Sequence, residues 1–118
     1  MTDSYLATLW RKACLALYGD RCFVCGGEVS GVHHIVRRRR RLLRWDMLNG
    51  MPLCKSCHEK AHKVTGWERD YLTPEERMYL DERALIDIKT WLQREGLTMD
   101  EFEKAEAEEL KAIIRRGE

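Results

Sequence analysis

The residues able to bind metals or move protons are concentrated between Cys22 and His62. Two C-x2-C pairs, Cys22/Cys25 and Cys54/Cys57, bracket the stretch. The 4 histidines of the chain, His33, His34, His58 and His62, lie inside it together with Asn49. A C-x2-C turn aims two sulfurs at one point. Two such turns complete a closed tetrahedron, the donor set of a structural zinc with no open position for chemistry. The imidazoles therefore call for a second site. His58 and His62, four apart on a helix, share a face and form a clamp for a cation. His33 and His34, adjacent on a strand, point to opposite sides. Whichever of the pair joins the clamp, the other is left beside it as a general base near neutral pH.

The elements that must position these groups are readable from periodicity and capping. Leu6, Leu9, Trp10, Ala13 and Leu17 mark one face of a helix over 4–18, with Asp3 or Ser4 to cap it and Gly19 to end it. Gly26-Gly27 lets the first cysteine turn fold back under a metal. Short strands are expected at 28–29 and 32–36, joined through Ser30-Gly31 as a hairpin. Arg37 to Arg41 is a run of five arginines with Arg44 and Trp45 just beyond it, and its self-repulsion places it in a loop facing solvent or a polyanion. Residues 46–52 read as a turn-rich connection and 56–64 as the short helix carrying His58 and His62. In the connector 65–72, Trp67 and Tyr71 are the expected packing anchors. Thr73-Pro-Glu-Glu76 is a capping box that should open a helix running to Glu95, burying Met78, Leu85, Ile88, Trp91 and Leu92. A second box, Thr98 to Glu101, starts a last helix with Phe102, Ala105, Leu110, Ile113 and Ile114 on its apolar side. The expected class is α+β, with a C-terminal helical hairpin that packs on the core or on another subunit.

With 118 residues the chain is about one domain with a limited core, which a bound metal would help to cross-link. The net charge of +1 hides a division. Residues 1–66 hold 12 Lys and Arg against 5 Asp and Glu, whereas residues 67–118 hold 9 against 15. A basic half next to the histidines suggests a phosphate-rich partner, since neutralising phosphates releases counterions. No run approaches the roughly 20 apolar residues of a membrane span, and the N-terminus lacks a signal-peptide layout. A cytoplasmic, reducing setting is the expectation, and there paired cysteines serve as thiolate ligands rather than disulfides. Cys14, among apolar residues of the first helix, is read as a buried thiol.

The order His33-His34-Ile35, Asn49 fifteen residues after His34, His58 nine after Asn49, and His62 four after that resembles the HNH endonucleases, whose ββα-metal module cleaves DNA. The resemblance covers residues 22–62. Its embedding in two C-x2-C pairs is similar to the zinc-ribbon subgroup, and His-His where many members have Asp-His is similar to the colicin-type nucleases. The resemblance implies a general base at His34, an Asn49 that fixes the loop and the orientation of that base, and one divalent ion on His33, His58 and His62. It implies products with 5′-phosphate and 3′-hydroxyl ends. The charge balance and the helical pattern beyond it suggest a division into a nuclease core with its N-terminal helix, 1–66, and a helical extension, 67–118.

The candidate ions are Mg²⁺, Mn²⁺, Ni²⁺ and Zn²⁺, and an all-imidazole site favours Zn²⁺ or Ni²⁺ over Mg²⁺, which prefers oxygen. Arg37, Arg38, Arg39, Arg40, Arg41 and Arg44 would bind the phosphates of double-stranded DNA with little sequence preference. By analogy with free-standing nucleases of phages and prophages, a packaging partner or a second copy would dock on the helical half. The competing reading, from a different class, is a non-catalytic zinc-ribbon module that binds nucleic acid through its arginines. RNA as substrate is a third.

Overall fold

The computed structural model describes residues 1–118. Helix α1, Asp3–Tyr18, is capped by Thr2, whose hydroxyl accepts from the Tyr5 N–H, and ends at Gly19 with φ 87°. Leu6, Trp10, Ala13 and Cys14 form its buried face, while Leu17 is exposed.

The strand pairing differs from the expected hairpin. Strand β1, Gly31–His34, pairs antiparallel with β2, Gly50–Leu53, in the register His33 to Met51 and His34 to Gly50. Residue 28 makes only an isolated bridge to Arg21. The two strands are thus joined by a long loop, 35–49, rather than by Ser30-Gly31. The segment expected as a turn-rich connection supplies the second strand instead. β2 is buried at all four positions, so burial rather than alternation holds it there.

Helix α2, Lys55–Lys63, follows directly, with Cys54 as its N-cap. A 3₁₀ turn at Trp67–Tyr71 leads to α3, Pro74–Ala84, which opens on the full Thr73/Glu76 capping box. The single helix expected to Glu95 is two. Asp87 accepts from the Thr90 N–H at 3.1 Å and caps a new helix, α4, Ile88–Glu95. A carboxylate in this position competes with helix continuation and favours a fresh start. The buried phase differs in part: Met78 is 61 % and Leu85 81 % exposed and Leu80 is buried in their place, while Leu92 is buried as expected. Helix α5, Met99–Arg116, begins on the Thr98/Glu101 box and buries Ala107, Leu110 and Ile113, while Ala105 is exposed.

Two apolar clusters hold these pieces together. One joins α1 to α5 through Leu6, Trp10, Ala13, Cys14, Trp45, Met47, Ala107, Leu110 and Ile113. The other lies under α2 and α3 and contains Cys22, Leu43, Met51, Leu53, Ala61, Leu72 and Leu80. The last helix therefore packs on the first. Cys14 is buried, and its thiol is pushed up to about 12, chiefly by burial, which makes it inert at neutral pH. Above it Gly50 leaves no room for a side chain, because a Cβ there would stand 2.5 Å from the Cys14 Sγ and 2.8 Å from the Trp10 ring. No helix is long and apolar enough to cross a membrane.

Candidate metal centres and active site

The cysteine cluster is assembled from two knuckles. The Cys22 N–H donates to the Gly27 carbonyl and the Gly26 N–H to the Cys22 carbonyl, with Gly26 at φ 77° closing the turn. The second knuckle is the first turn of α2, where the Cys57 N–H donates to the Cys54 Sγ at 3.4 Å. All four sulfurs lie within 4.8 Å of one another, with Cys25 and Cys54 Sγ 3.6 Å apart. A disulfide would bring two sulfurs to about 2.05 Å. The edge of a tetrahedron of ~2.3 Å metal–sulfur bonds is about 3.8 Å. The spacing is that of donors arranged around one cation, and the set could hold a zinc. The Ser56 hydroxyl and the Cys57 N–H hold the Cys54 thiol below its ordinary range, while burial and the neighbouring sulfurs push the Cys57 thiol up to about 12.

On the next turn of α2, His58 and His62 face β1, and it is His33 rather than His34 that meets them. Ligand nitrogens of His33, His58 and His62 lie within 4.8 Å of one another. The ring centroids are 5.2 Å apart for His33 and His58, 5.3 Å for His33 and His62, and 4.7 Å for His58 and His62. Burial, with the charges of His33 and His62 adding to it, holds the His58 imidazole below its ordinary value. Its lone pair is thus available for a cation near neutral pH.

His34 points the other way. Its ring stacks on Trp10 at 4.1 Å and 15°, and stands edge-on to Trp45 at 5.8 Å. The His34 Nε2–H donates to the Arg44 carbonyl at 2.9 Å. Since a carbonyl only accepts, this bond places the proton of the neutral ring on Nε2 and leaves Nδ1 as the acceptor. Burial pushes the His34 pKa down to about 4, and the charges of Arg38, His33 and Arg44 push the same way against the raising effect of the Arg44 carbonyl. His33, His34, His58 and His62 line one cleft of about 600 Å³, with Arg37 and Arg38 on its rim.

Asn49 is fully buried and ties the loop 35–49 at both ends. Its Oδ1 accepts from the Val36 N–H at 2.6 Å, and its Nδ2 donates to the Val36 and Leu43 carbonyls, each at 3.0 Å. Its own carbonyl accepts from the Ile35 N–H. The residue that follows Leu43 is Arg44, whose carbonyl holds His34. Asn49 thus bonds the carbonyl one residue before the one that accepts from His34.

The arginines separate into groups. Arg39 and Arg40 are exposed. Arg38 lies over the Trp45 ring at 5.1 Å, and Arg44 donates to the Arg38 carbonyl and to Asp3. Arg41 departs from the reading of the whole run as a solvent-facing loop. Its side chain is only 10 % exposed and pairs with Glu106 at 2.7 Å and Glu103 at 3.5 Å on α5. A guanidinium with two carboxylates at hand has no need of a phosphate, so Arg41 anchors the loop to the last helix.

One residue of the cleft carries no signal in the sequence. Glu68, in the Trp67–Tyr71 turn, is 4 % exposed, whereas its neighbour Tyr71, an expected anchor, is 45 % exposed. The Glu68 Oε1 lies 3.3 Å from the His33 Nε2. Burial raises the carboxyl, but His33 and the turn's own N–H outweigh it, and the group is held below the usual carboxylate range.

Residues 22–64 match the family model described as HNH endonuclease. The match spans both cysteine knuckles and every histidine of the cleft. No curated protein and no solved structure matches the chain.

Proposed function

We propose that the HNH domain at residues 22–64 is a metal-dependent endonuclease that hydrolyses DNA phosphodiesters to 5′-phosphate and 3′-hydroxyl ends. The observation that carries this reading is the pairing of adjacent residues on β1. His33 meets His58 and His62 on one side, and His34, with its Nδ1 left as acceptor, lies on the other side of the same cleft.

In this reading His33, His58 and His62 hold one divalent cation, and the four cysteines hold a zinc that fixes α2 against the sheet. A cation bound by the histidines supplies positive charge to the scissile phosphate and to the departing 3′ oxygen. His34 takes the proton from the attacking water through Nδ1. Its low pKa keeps it unprotonated near neutral pH, and an anionic phosphate in the cleft would raise its basicity by favouring the charged form. The Arg44 carbonyl and the Trp10 face fix the plane of the ring, and Asn49 holds the Leu43 carbonyl one residue before that carbonyl. These positioning groups matter because a base tilted from its water is ineffective. Arg37 and Arg38 bind flanking phosphates, with Arg39, Arg40 and the outer edge of Arg44 adding to the positive field.

Incubation with supercoiled plasmid in the presence of Mg²⁺, Mn²⁺, Ni²⁺ or Zn²⁺ tests the proposal. His34→Ala should lower nicking by about 10²–10⁴-fold, the usual worth of a general base, with the fold and DNA retention intact and the thermal midpoint lowered only by the lost Trp10 stack and Arg44 hydrogen bond. Equal cleavage by wild type and variant removes the catalytic assignment. Absence of cleavage in both, with DNA still bound, favours the non-catalytic module. Direct ligation of the nicked product, without end repair, checks the 5′-phosphate and 3′-hydroxyl ends.

A further inference from the structure

The Trp67–Tyr71 turn is held against α2, with Lys60 over the Trp67 ring at 5.0 Å and Leu72 buried beneath. This attachment carries Glu68 into the wall of the histidine cleft. A carboxylate taken out of water is costly to keep ionised unless it is paired and hydrogen-bonded. Glu68 keeps its charge: against burial, the bond to His33, the turn's own N–H and the charge of Arg69 favour the ionised form. Its side-chain partner is the His33 Nε2, 3.3 Å from Oε1. A carboxylate only accepts, so His33 is the donor of this bond and Nε2 carries the proton of the neutral ring. Nδ1 is then the nitrogen left with a free lone pair.

The place of Glu68 relative to the other two histidines agrees with this. Donors bonded to one cation at about 2.1 Å stand about 3.4 Å apart in tetrahedral geometry. The donor atoms that lie within 4.8 Å of one another are those of His33, His58 and His62, and no Glu68 oxygen joins them. The carboxylate therefore touches His33 from outside the cluster. His33 has the imidazoles of His58 and His62 on one side, at ring centroid distances of 5.2 and 5.3 Å, and the carboxylate as a further partner.

We propose that Glu68 is a positioning residue of the histidine centre: it holds the His33 proton on Nε2 and so presents Nδ1 to the cation. This rests on the assignment of the histidines as a metal site. A carboxylate behind a metal-binding imidazole fixes the tautomer and the plane of the ring and makes the ring a stronger donor. Strand β1 sets where the His33 backbone lies, and Glu68 sets which nitrogen the ring offers. The segment 22–64 thus supplies the three imidazoles, and a residue beyond it orients one of them.

The test is ¹⁵N NMR of the histidine rings in the full chain with its cysteine site loaded with zinc, before and after a further equivalent of Zn²⁺. Neutral His33 should carry its proton on Nε2 from the start, and the added Zn²⁺ should shift its Nδ1. A His33 proton on Nδ1, or a metal shift on Nε2, overturns the proposal. Glu68→Gln, which keeps the volume but loses the charge, should bind the second Zn²⁺ about 10–100-fold more weakly, the usual effect of altering a metal ligand's hydrogen-bond partner. It should also mix the His33 tautomers while leaving those of His58 and His62 as they were, which a general loosening of the fold would not do. Unchanged affinity and tautomer in Glu68→Gln overturn the proposal. His58→Ala separates the two assignments: if it loses the second Zn²⁺ while Glu68→Gln binds as wild type does, the histidine centre stands and Glu68 has no part in it. If added Zn²⁺ shifts no ring nitrogen of His33, His58 or His62, the metal assignment falls and the proposal with it. Should Glu68→Gln not fold, the wild-type tautomer and the nitrogen that Zn²⁺ shifts decide.

Discussion

The two clusters of donors share helix α2 yet are built for opposite ends. Cys54 and Cys57 occupy its first turn, His58 and His62 the next. The cysteine set is closed: its four sulfurs are spaced to complete a tetrahedron. The histidine set is open, with three imidazoles in a cleft edged by arginines. Adjacent residues of α2, Cys57 and His58, thus belong one to the cysteine cluster and one to the proposed reactive centre. The difference lies in donor number and surroundings, since a site becomes available for chemistry when its protein ligands do not complete the coordination shell.

The sharpest way to break this comparison is to open the closed site. Cys57→Ser should lose the zinc and unfold the 22–64 region, because a structural zinc contributes about 10–16 kcal/mol of apparent binding energy to small domains. Circular dichroism and metal analysis measure it, and a variant that keeps its thermal midpoint would deny the cysteines their scaffold role. A smaller effect is expected from Asn49→Ala. It strips partners from the Val36 N–H and from the Val36 and Leu43 carbonyls, at about 1–3 kcal/mol for each group left unsatisfied. Denaturant unfolding should show that loss, and nicking should fall further than stability alone explains, since His34 loses its fixed carbonyl.

Gly50→Ala comes next. Its methyl would collide with Cys14 and Trp10, costing about 1–3 kcal/mol as overpacking does, and Gly50→Ala combined with Cys14→Ala should recover part of the loss. The smallest effects should come from the arginines, and they should be of two kinds. Arg38→Ala should reduce the slope of log affinity against log salt by about 1 while leaving stability nearly unchanged. Arg41→Ala should leave the salt slope alone and lower the thermal midpoint, because Glu106 remains behind unpaired and Glu103 keeps only the N-terminal ammonium at 3.9 Å. Equal salt slopes in the two variants would contradict the division of the run.

How much of this was open to reading from sequence follows the same contrast. The cysteines and histidines declared themselves through spacing, because a C-x2-C turn and an i, i+4 pair are local geometries that hold wherever the segment lands. The capping boxes at Thr73 and Thr98 are local in the same sense. Features decided by distant packing were hidden. The partner of β1 is β2 rather than residues 28–29, because Asn49 closes the intervening loop through contacts across thirteen residues. The helix from Thr73 breaks where the Asp87 cap outcompetes continuation, which periodicity does not reveal. Glu68 was one acid among many in an acidic half, and only the docking of its turn on α2 buries it. Arg41 likewise differs from its neighbours only because Glu103 and Glu106 are brought opposite it.

The central claim is that the chain holds two cations of separate duty, and graded chelation tests it most directly. A mild chelator followed by metal analysis and plasmid nicking should leave one zinc bound and the fold intact while cleavage disappears, and added divalent cation should restore cleavage. Nicking that persists with one metal per chain, or that is lost only when the remaining zinc and the fold go together, would contradict it.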